Sequence, residues 1–254
     1  MKAVLKQIKE FIYESANILE PVKCIICGQY INGSYIIDSW NQPVHDYHKI
    51  SSCFSCGRII SKNGFVLKDG RQLCEHCQPS VVQTAKQIDW VDKKVRSILV
   101  KAGIDDIPQN VPIEIIDSYQ LMRIQGNKEI DTNQRGLAMF NQTINNGKTK
   151  TEHIVYILDY MPKFAFAGVF AHELLHVWQN EKGIKPPKDI CEGFCNLGSY
   201  SVYLDINNEA AKNFINQMEK NPDPVYGEGY RKVKRRLDKY GWQAVIDKIK
   251  KYKT

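Results

Sequence analysis

Six of the eight cysteines fall into three C-x-x-C pairs, Cys24/Cys27, Cys53/Cys56 and Cys74/Cys77. A histidine pair of the same internal spacing, His45/His48, completes a series of four. Seventeen residues separate the first pair from the second, four the second from the third, and seventeen the third from the fourth. Two ligands on one tight turn reach a single ion, so eight ligands in four pairs make two tetrahedral zinc sites. The repeated gap favours sequential use. It puts Cys24, Cys27, His45 and His48 on one zinc, and Cys53, Cys56, Cys74 and Cys77 on the other. Interleaving the same eight ligands is the alternative. A disulfide framework or a redox C-x-x-C leaves the histidine pair unexplained. His76, inside the last pair, reads as a surface residue. Sites closed by four protein ligands leave no place for water, so both ions are structural.

A second pattern has different chemistry. His172, Glu173 and His176 form H-E-x-x-H inside the apolar stretch FAFAGVFAHELLHVWQNEKG. A spacing of four stacks both imidazoles on one helical face, where they can share an ion. Glu173 lies about 100° round the helix and is free to work on a zinc-bound water. Burying these groups without partners would be costly, which argues for a metal. A catalytic zinc takes three protein ligands and keeps one position open. The third candidate is Glu192, sixteen residues beyond His176. Glu192 also reads as the partner of Asp189 in a helix-capping box. Asn196, one turn on, is either a surface amide or an orienting partner for a ligand histidine. Cys191 and Cys195 read as core packing residues.

These ligands need elements to carry them. Residues 1–22 read as an amphipathic helix, with Val4, Leu5, Ile8, Phe11 and Ile12 on one face. Residues 23–80 form the two-zinc module, which depends on its metal because a segment this short cannot bury much core. Residues 81–104 read as a connecting helix closed by Gly103. Residues 105–254 make a second domain. In it, IDDIPQNVPIEIID, NQRGLAMFNQTI and HIVYILDYM are strand candidates, with a hairpin signal at Asn146-Gly147. Two buried helices follow, one bearing H-E-x-x-H and one beginning at DICEGFC. The fold class expected is α+β, a small two-zinc module followed by a compact metallopeptidase-like domain.

Composition sets the outer limits. Hydrophobic residues make up 43% and charged residues 25% of 254, the balance of a globular chain. No apolar run reaches the roughly 20 residues of a membrane helix, and the charged start is not a secretory signal. A cytoplasmic protein without a membrane partner is expected. The net charge of +7 is concentrated in residues 230–254, which carry ten Lys/Arg against Asp238 and Asp247. No nucleic-acid motif accompanies that charge, so it reads as a solvated helix face.

Several motifs in one order resemble a family. CFSCGRIISKNGFVLKDGRQLCEHCQPS is similar to the second, LIM-like module of the LIM-domain zinc metallopeptidases that act as ubiquitin-activated regulators of organ size in plants. The resemblance continues through QRGLAMFNQTI, AHELLHVWQ, CEGFCNL and NPDPVYGEGYRKVKRRLDKYGWQAVIDKI, and so from about Cys24 to Ile249. It implies a short, bacterial-type member and a gluzincin-type endopeptidase cutting protein substrates. It also implies His172, His176 and Glu192 as zinc ligands and Glu173 as general base, giving three zinc ions, one catalytic and two structural. Ubiquitin or ubiquitinated proteins are the further partners implied. The plant proteins carry ubiquitin-interacting helices and another LIM domain ahead of this region, and both are expected to be missing here. Cys191 and Glu192 stand where the family has two adjacent glutamates, and His45 where it has cysteine.

Zinc lowers the pKa of its water to about 7, Glu173 takes the proton and delivers it to the leaving amine, and a donor stabilises the oxyanion. Tyr200, Tyr203, Tyr226, Tyr230 and His153 are the donor candidates. The strand HIVYILDYM either receives an extended substrate or is an ordinary core strand. The competing readings are a non-catalytic zinc adaptor and, if the ligands interleave, a RING-like ubiquitin ligase.

Overall fold

The computed structural model describes residues 22–61, 64–131, 134–145 and 148–253. The expected N-terminal helix and the Asn146-Gly147 turn lie outside these residues. The chain divides into two compact units. The first comprises residues up to Leu67 with Arg71–Cys74, and the second comprises Lys68–Gly70 with Glu75–Thr254. The division falls inside the last C-x-x-C.

The first unit is one local structure built twice, 29 residues apart. In the first copy the Gly28 amide donates to the Cys24 carbonyl and the Ile25 amide to the Pro43 carbonyl. In the second, Gly57 donates to Cys53 and Phe54 to Gln72. Gly28 and Gly57 have φ of 74° and 73°, a conformation that costs a Cβ-bearing residue energy. Each turn is followed by a short antiparallel hairpin, β1 (Tyr35–Ile37) with β2 (Pro43–His45), and β3 (Phe65–Val66) with β4 (Gln72–Leu73). One apolar cluster joins Cys24, Val44 and Ile59, with Ile25, Ile26, Ile31 and Ile50 packed against them, and Leu67 and Leu73 are buried at the second hairpin. Asp38 joins the copies. Its carboxylate accepts from the Trp40 and Gln42 amides of one and from the Ile59 amide of the other. The Trp40 indole donates to the Cys56 carbonyl, and the Arg58 guanidinium lies 4.0 Å over the Trp40 ring.

The second unit is α+β. Helix α1 (Ala85–Lys101) starts at a capping box in which Thr84 and Gln87 satisfy each other's backbone amides. Gly103, at φ 84°, follows its end. A three-stranded sheet has the order β5-β7-β6. Here β5 is Ile113–Ile116, β6 is Gly136–Asn145 and β7 is Lys148–Leu158. Helix α2 (Ser118–Ile124) follows β5. Strand β7 pairs parallel with β5 and antiparallel with β6. The β6–β7 pairing runs to Asn145 and Lys148, on either side of the expected turn.

Helix α3 (Lys163–Glu181) and helix α4 (Lys188–Ile206) form the centre, followed by α5 (Glu209–Lys220) and α6 (Gly229–Lys250). Phe166, Phe170, Leu174 and Trp178 of α3, Phe194 and Leu197 of α4, and Tyr230 and Ile249 of α6 are all fully buried. Each such side chain contributes about 1.5–3 kcal/mol relative to exposure. Helices α3 and α4 approach closely at Gly198, where a Cβ would stand 2.8 Å from the Ala171 carbonyl oxygen. The Ser199 hydroxyl donates to the Gly168 carbonyl at 2.8 Å, fixing the register between the two helices. Among the described residues, no helix is long and apolar enough to cross a membrane.

Candidate metal centres

Both cysteine-rich ligand sets assemble sequentially. Cys24, Cys27, His45 and His48 form one group, and Cys53, Cys56, Cys74 and Cys77 the other. Interleaved pairing is thereby contradicted, because each set belongs to one copy of the repeat. Donors around a tetrahedral ion stand roughly 1.6 bond lengths apart, about 3.8 Å for two thiolates on zinc and about 3.5 Å for a thiolate and an imidazole. Cys56 and Cys74 Sγ are 3.7 Å apart, and Cys27 Sγ is 3.5 Å from His45 Nδ1. Both spacings suit zinc, and the sulfur pair is far too long for a disulfide. His76 is exposed and stands beside Glu75 rather than in a ligand set.

The third site stands where α3 faces α4. His172 Nε2 and His176 Nε2 are 3.1 Å apart. Glu192 Oε2 lies 3.2 Å from the first and 3.4 Å from the second. The same 1.6 rule gives about 3.3–3.4 Å for nitrogen and oxygen donors on zinc, so these three atoms outline one face of a tetrahedron. Although burial opposes its charge, the two imidazoles hold the Glu192 carboxyl far below the usual carboxylate range. The capping-box expectation for Glu192 fails: α4 is preceded by Pro187, which makes no side-chain cap. Asp189 pairs instead with Lys232.

Further polar side chains touch the two imidazoles from behind. Asn196 Oδ1 stands 3.0 Å from His172 Nδ1, and its amide nitrogen donates to the Tyr226 carbonyl. Asn196 is therefore no ordinary surface amide. Cys191 Sγ lies 3.8 Å from His176 Nδ1, so it is a neighbour of the site rather than a core packing residue. Cys195 is fully buried, accepts from the Gln179 side chain, and belongs to a donor group with both histidines within 4.8 Å. Burial pushes its thiol well up, and the Glu192 oxygen is the better placed third donor.

Glu173 is 6% exposed, and burial pushes its carboxyl up. Its carboxylate meets β6: the Ala138 backbone amide bonds it. At Gly136 a Cβ would stand 2.7 Å from Glu173 Oε1 and 2.6 Å from Val169 Cγ1, so only glycine lets the strand pass this close.

The oxyanion candidates separate. His153 Nε2 is bound to Glu181 at 2.5 Å. Tyr230 is buried and donates to Glu219. Tyr203 is buried, packed against Gly168 and Phe214. Tyr200 meets the Tyr230 ring at a tilt of 55° and carries Lys234 over its own ring. Tyr226 is the remaining one, and burial with the charges of Glu192 and Glu173 pushes its hydroxyl up to about 12. It sits on a π turn, Pro224–Glu228, whose start is pinned by the Asp223 carboxylate accepting from the Val225 and Tyr226 amides. The substrate-strand alternative is also corrected: HIVYILDYM contributes to β7, which is paired on both sides. No strand pairs with the outer edge of β6 among the described residues.

Comparison with known proteins adds to this geometry. The DA1-like family (Protein DA1) matches residues 202–252, the segment that includes the π turn and all of α6. Protein DA1 of Arabidopsis thaliana is 23% identical over an alignment covering 89% of this chain and 55% of that protein. The LIM domain-containing protein HDR3 of Oryza sativa subsp. japonica is 21% identical, covering 90% and 60% respectively. Protein DA1-related 2 of Arabidopsis thaliana is 22% identical, covering 90% and 57%. No solved structure matches. The chain thus spans 55–60% of the length of these relatives, and its similarity to them supports a relationship with the plant DA1 proteins.

Proposed function

We propose that this chain is a zinc-dependent endopeptidase of gluzincin type, holding one catalytic and two structural zinc ions. The observation that carries the reading is the triangle of His172 Nε2, His176 Nε2 and Glu192 Oε2 beside a buried Glu173. Two imidazoles and one carboxylate suit zinc and leave a coordination position for solvent. Zinc bound there supplies Lewis acidity and a water acidic near neutral pH.

The chain's own groups do the rest. Glu173, steered by the Ala138 amide, accepts a proton and passes it to the leaving amine. The Tyr226 hydroxyl, its proton held firmly, donates to the oxygen that gains charge as the peptide carbonyl becomes tetrahedral. An extended substrate adds to the outer edge of β6, whose inner end meets Glu173. Protein substrates, ubiquitinated proteins among them, are the partners of this reading, with the cysteine-rich module as the docking element.

The test is Glu173→Gln. Mass-spectrometric scoring of new N-termini in a proteome-derived peptide library should fall by about 10²–10⁴-fold, the worth of a general base. Zinc content should stay unchanged. Cleavage at the parent rate overturns the role of Glu173.

One observation favours a second reading, a non-catalytic adaptor. If Cys195 joined His172, His176 and Glu192, the site would be closed and purely structural. Cobalt(II) substitution at this site separates the two. A thiolate ligand gives an intense near-ultraviolet sulfur-to-cobalt band, and the endopeptidase reading expects none beyond that of the cysteine-rich sets.

A further inference from the structure

The two histidines of the α3 site have unlike partners on their far sides. His172 Nδ1 meets an amide oxygen, Asn196 Oδ1, at 3.0 Å. His176 Nδ1 meets a sulfur, Cys191 Sγ, at 3.8 Å. That sulfur does not end the chain of contacts. Cys191 Sγ donates to Gln179 Oε1 at 3.2 Å, and Gln179 Nε2 donates to Cys195 Sγ at 3.0 Å. Gln179 is 3% exposed and Cys195 fully buried, so neither exchanges these bonds for water.

We propose that Cys191 is the positioning residue for the His176 imidazole, held in place by a buried relay through Gln179 to Cys195. The inference rests on the reading that this site holds zinc. A histidine that ligates through Nε2 carries its proton on Nδ1, and that proton needs an acceptor to fix the ring. The contacts then align as donor and acceptor along one path. His176 Nδ1–H donates to the Cys191 sulfur, the Cys191 S–H donates to the Gln179 oxygen, and the Gln179 amide donates to the Cys195 sulfur. These three bonds point the same way along the relay, and Cys191 and Cys195 also bond each other directly. The acceptor of this proton is ordinarily a carboxylate, carbonyl or water. A thiol is a weaker acceptor, and here its remaining hydrogen is spent on a buried amide, which locks the sulfur's orientation.

Cys191→Ala removes the acceptor and leaves the imidazole N–H unpaired, so zinc affinity at this site should fall about tenfold, at the lower end of what such partners are worth. Zinc affinity is read by competition against a chromophoric chelator in the full chain. Cys191→Ser keeps an acceptor and a donor and should recover most of the loss. Gln179→Leu cuts the relay one bond further back and should show a smaller loss. A structural defect alone would weaken both histidines together. In the cobalt(II)-substituted protein, each ligand imidazole N–H gives its own paramagnetically shifted, exchangeable proton signal. The proposal expects Cys191→Ala to speed exchange at His176 and leave His172 untouched. Parent-like zinc affinity with both signals intact overturns the proposal while leaving the endopeptidase reading standing. Absence of any third zinc in the parent protein overturns both.

Discussion

The cysteine-rich module and the α3–α4 site place metal ligands by opposite means. In the module, the ligands are part of the core: Cys24, Cys53, Cys56, Cys74 and Cys77 are buried alongside Val44, Ile59, Leu67 and Leu73 among the described residues. In the second unit, a large apolar core exists first, and His172, His176 and Glu192 project from helices already fixed by Phe166, Phe170, Leu174 and their neighbours. The module's ligands therefore serve the fold, whereas in the second unit the fold serves the ligands. The comparison teaches that removing a candidate ligand should have different consequences in the two places, even where both take zinc.

The sharpest break comes from Cys56→Ala. Structural zinc in a small module supplies about 10–16 kcal/mol of folding free energy, so the first unit should lose its amide-exchange protection along with its zinc. The second unit should keep its protection. Protection retained in the first unit would erase the distinction. His172→Ala should remove the α3 zinc and the cleavage activity together. Its helical circular dichroism should persist, and the melting temperature of the second unit in the absence of zinc should move by only a few degrees. Global unfolding by that variant would mean that the second unit, too, is built on its metal.

Smaller effects sharpen the picture. Asp38→Ala leaves three backbone amides without their carboxylate, and a loss of about 1–3 kcal/mol is expected in chemical denaturation of the first unit, with zinc stoichiometry unchanged. Asn196→Ala should weaken zinc at the α3 site by about tenfold, about 1.4 kcal/mol, and leave stability nearly as it was.

Much of this was legible where chemistry follows the chain's own period. Four ligand pairs, equal gaps of seventeen and an i, i+4 histidine pair are local records, and they brought together the sets now seen in space. Glu192 was legible as a carboxylate near the start of the following helix, with Asp189 read as its cap. What the sequence did not record were contacts between elements distant in the chain. Tyr226 could not be told from three other tyrosines, because its selection depends on a π turn pinned by Asp223 and on α4 lying alongside. Asp38 looked like any hairpin aspartate until it was seen to join the two copies. Cys191 read as packing because nothing in a helix pattern says that His176 faces it. HIVYILDYM reads equally as a substrate-binding strand and as a core strand because hydrophobic runs do not distinguish a centre from an edge.

The replacement of one thiol pair by His45 and His48 has an electrical consequence. With zinc bound, the set Cys53, Cys56, Cys74 and Cys77 is a net dianion, whereas the set with two imidazoles is neutral. Two halves that share a backbone design thus present their surroundings with unequal potential, and the module is polarised from end to end by a choice of donor atom alone.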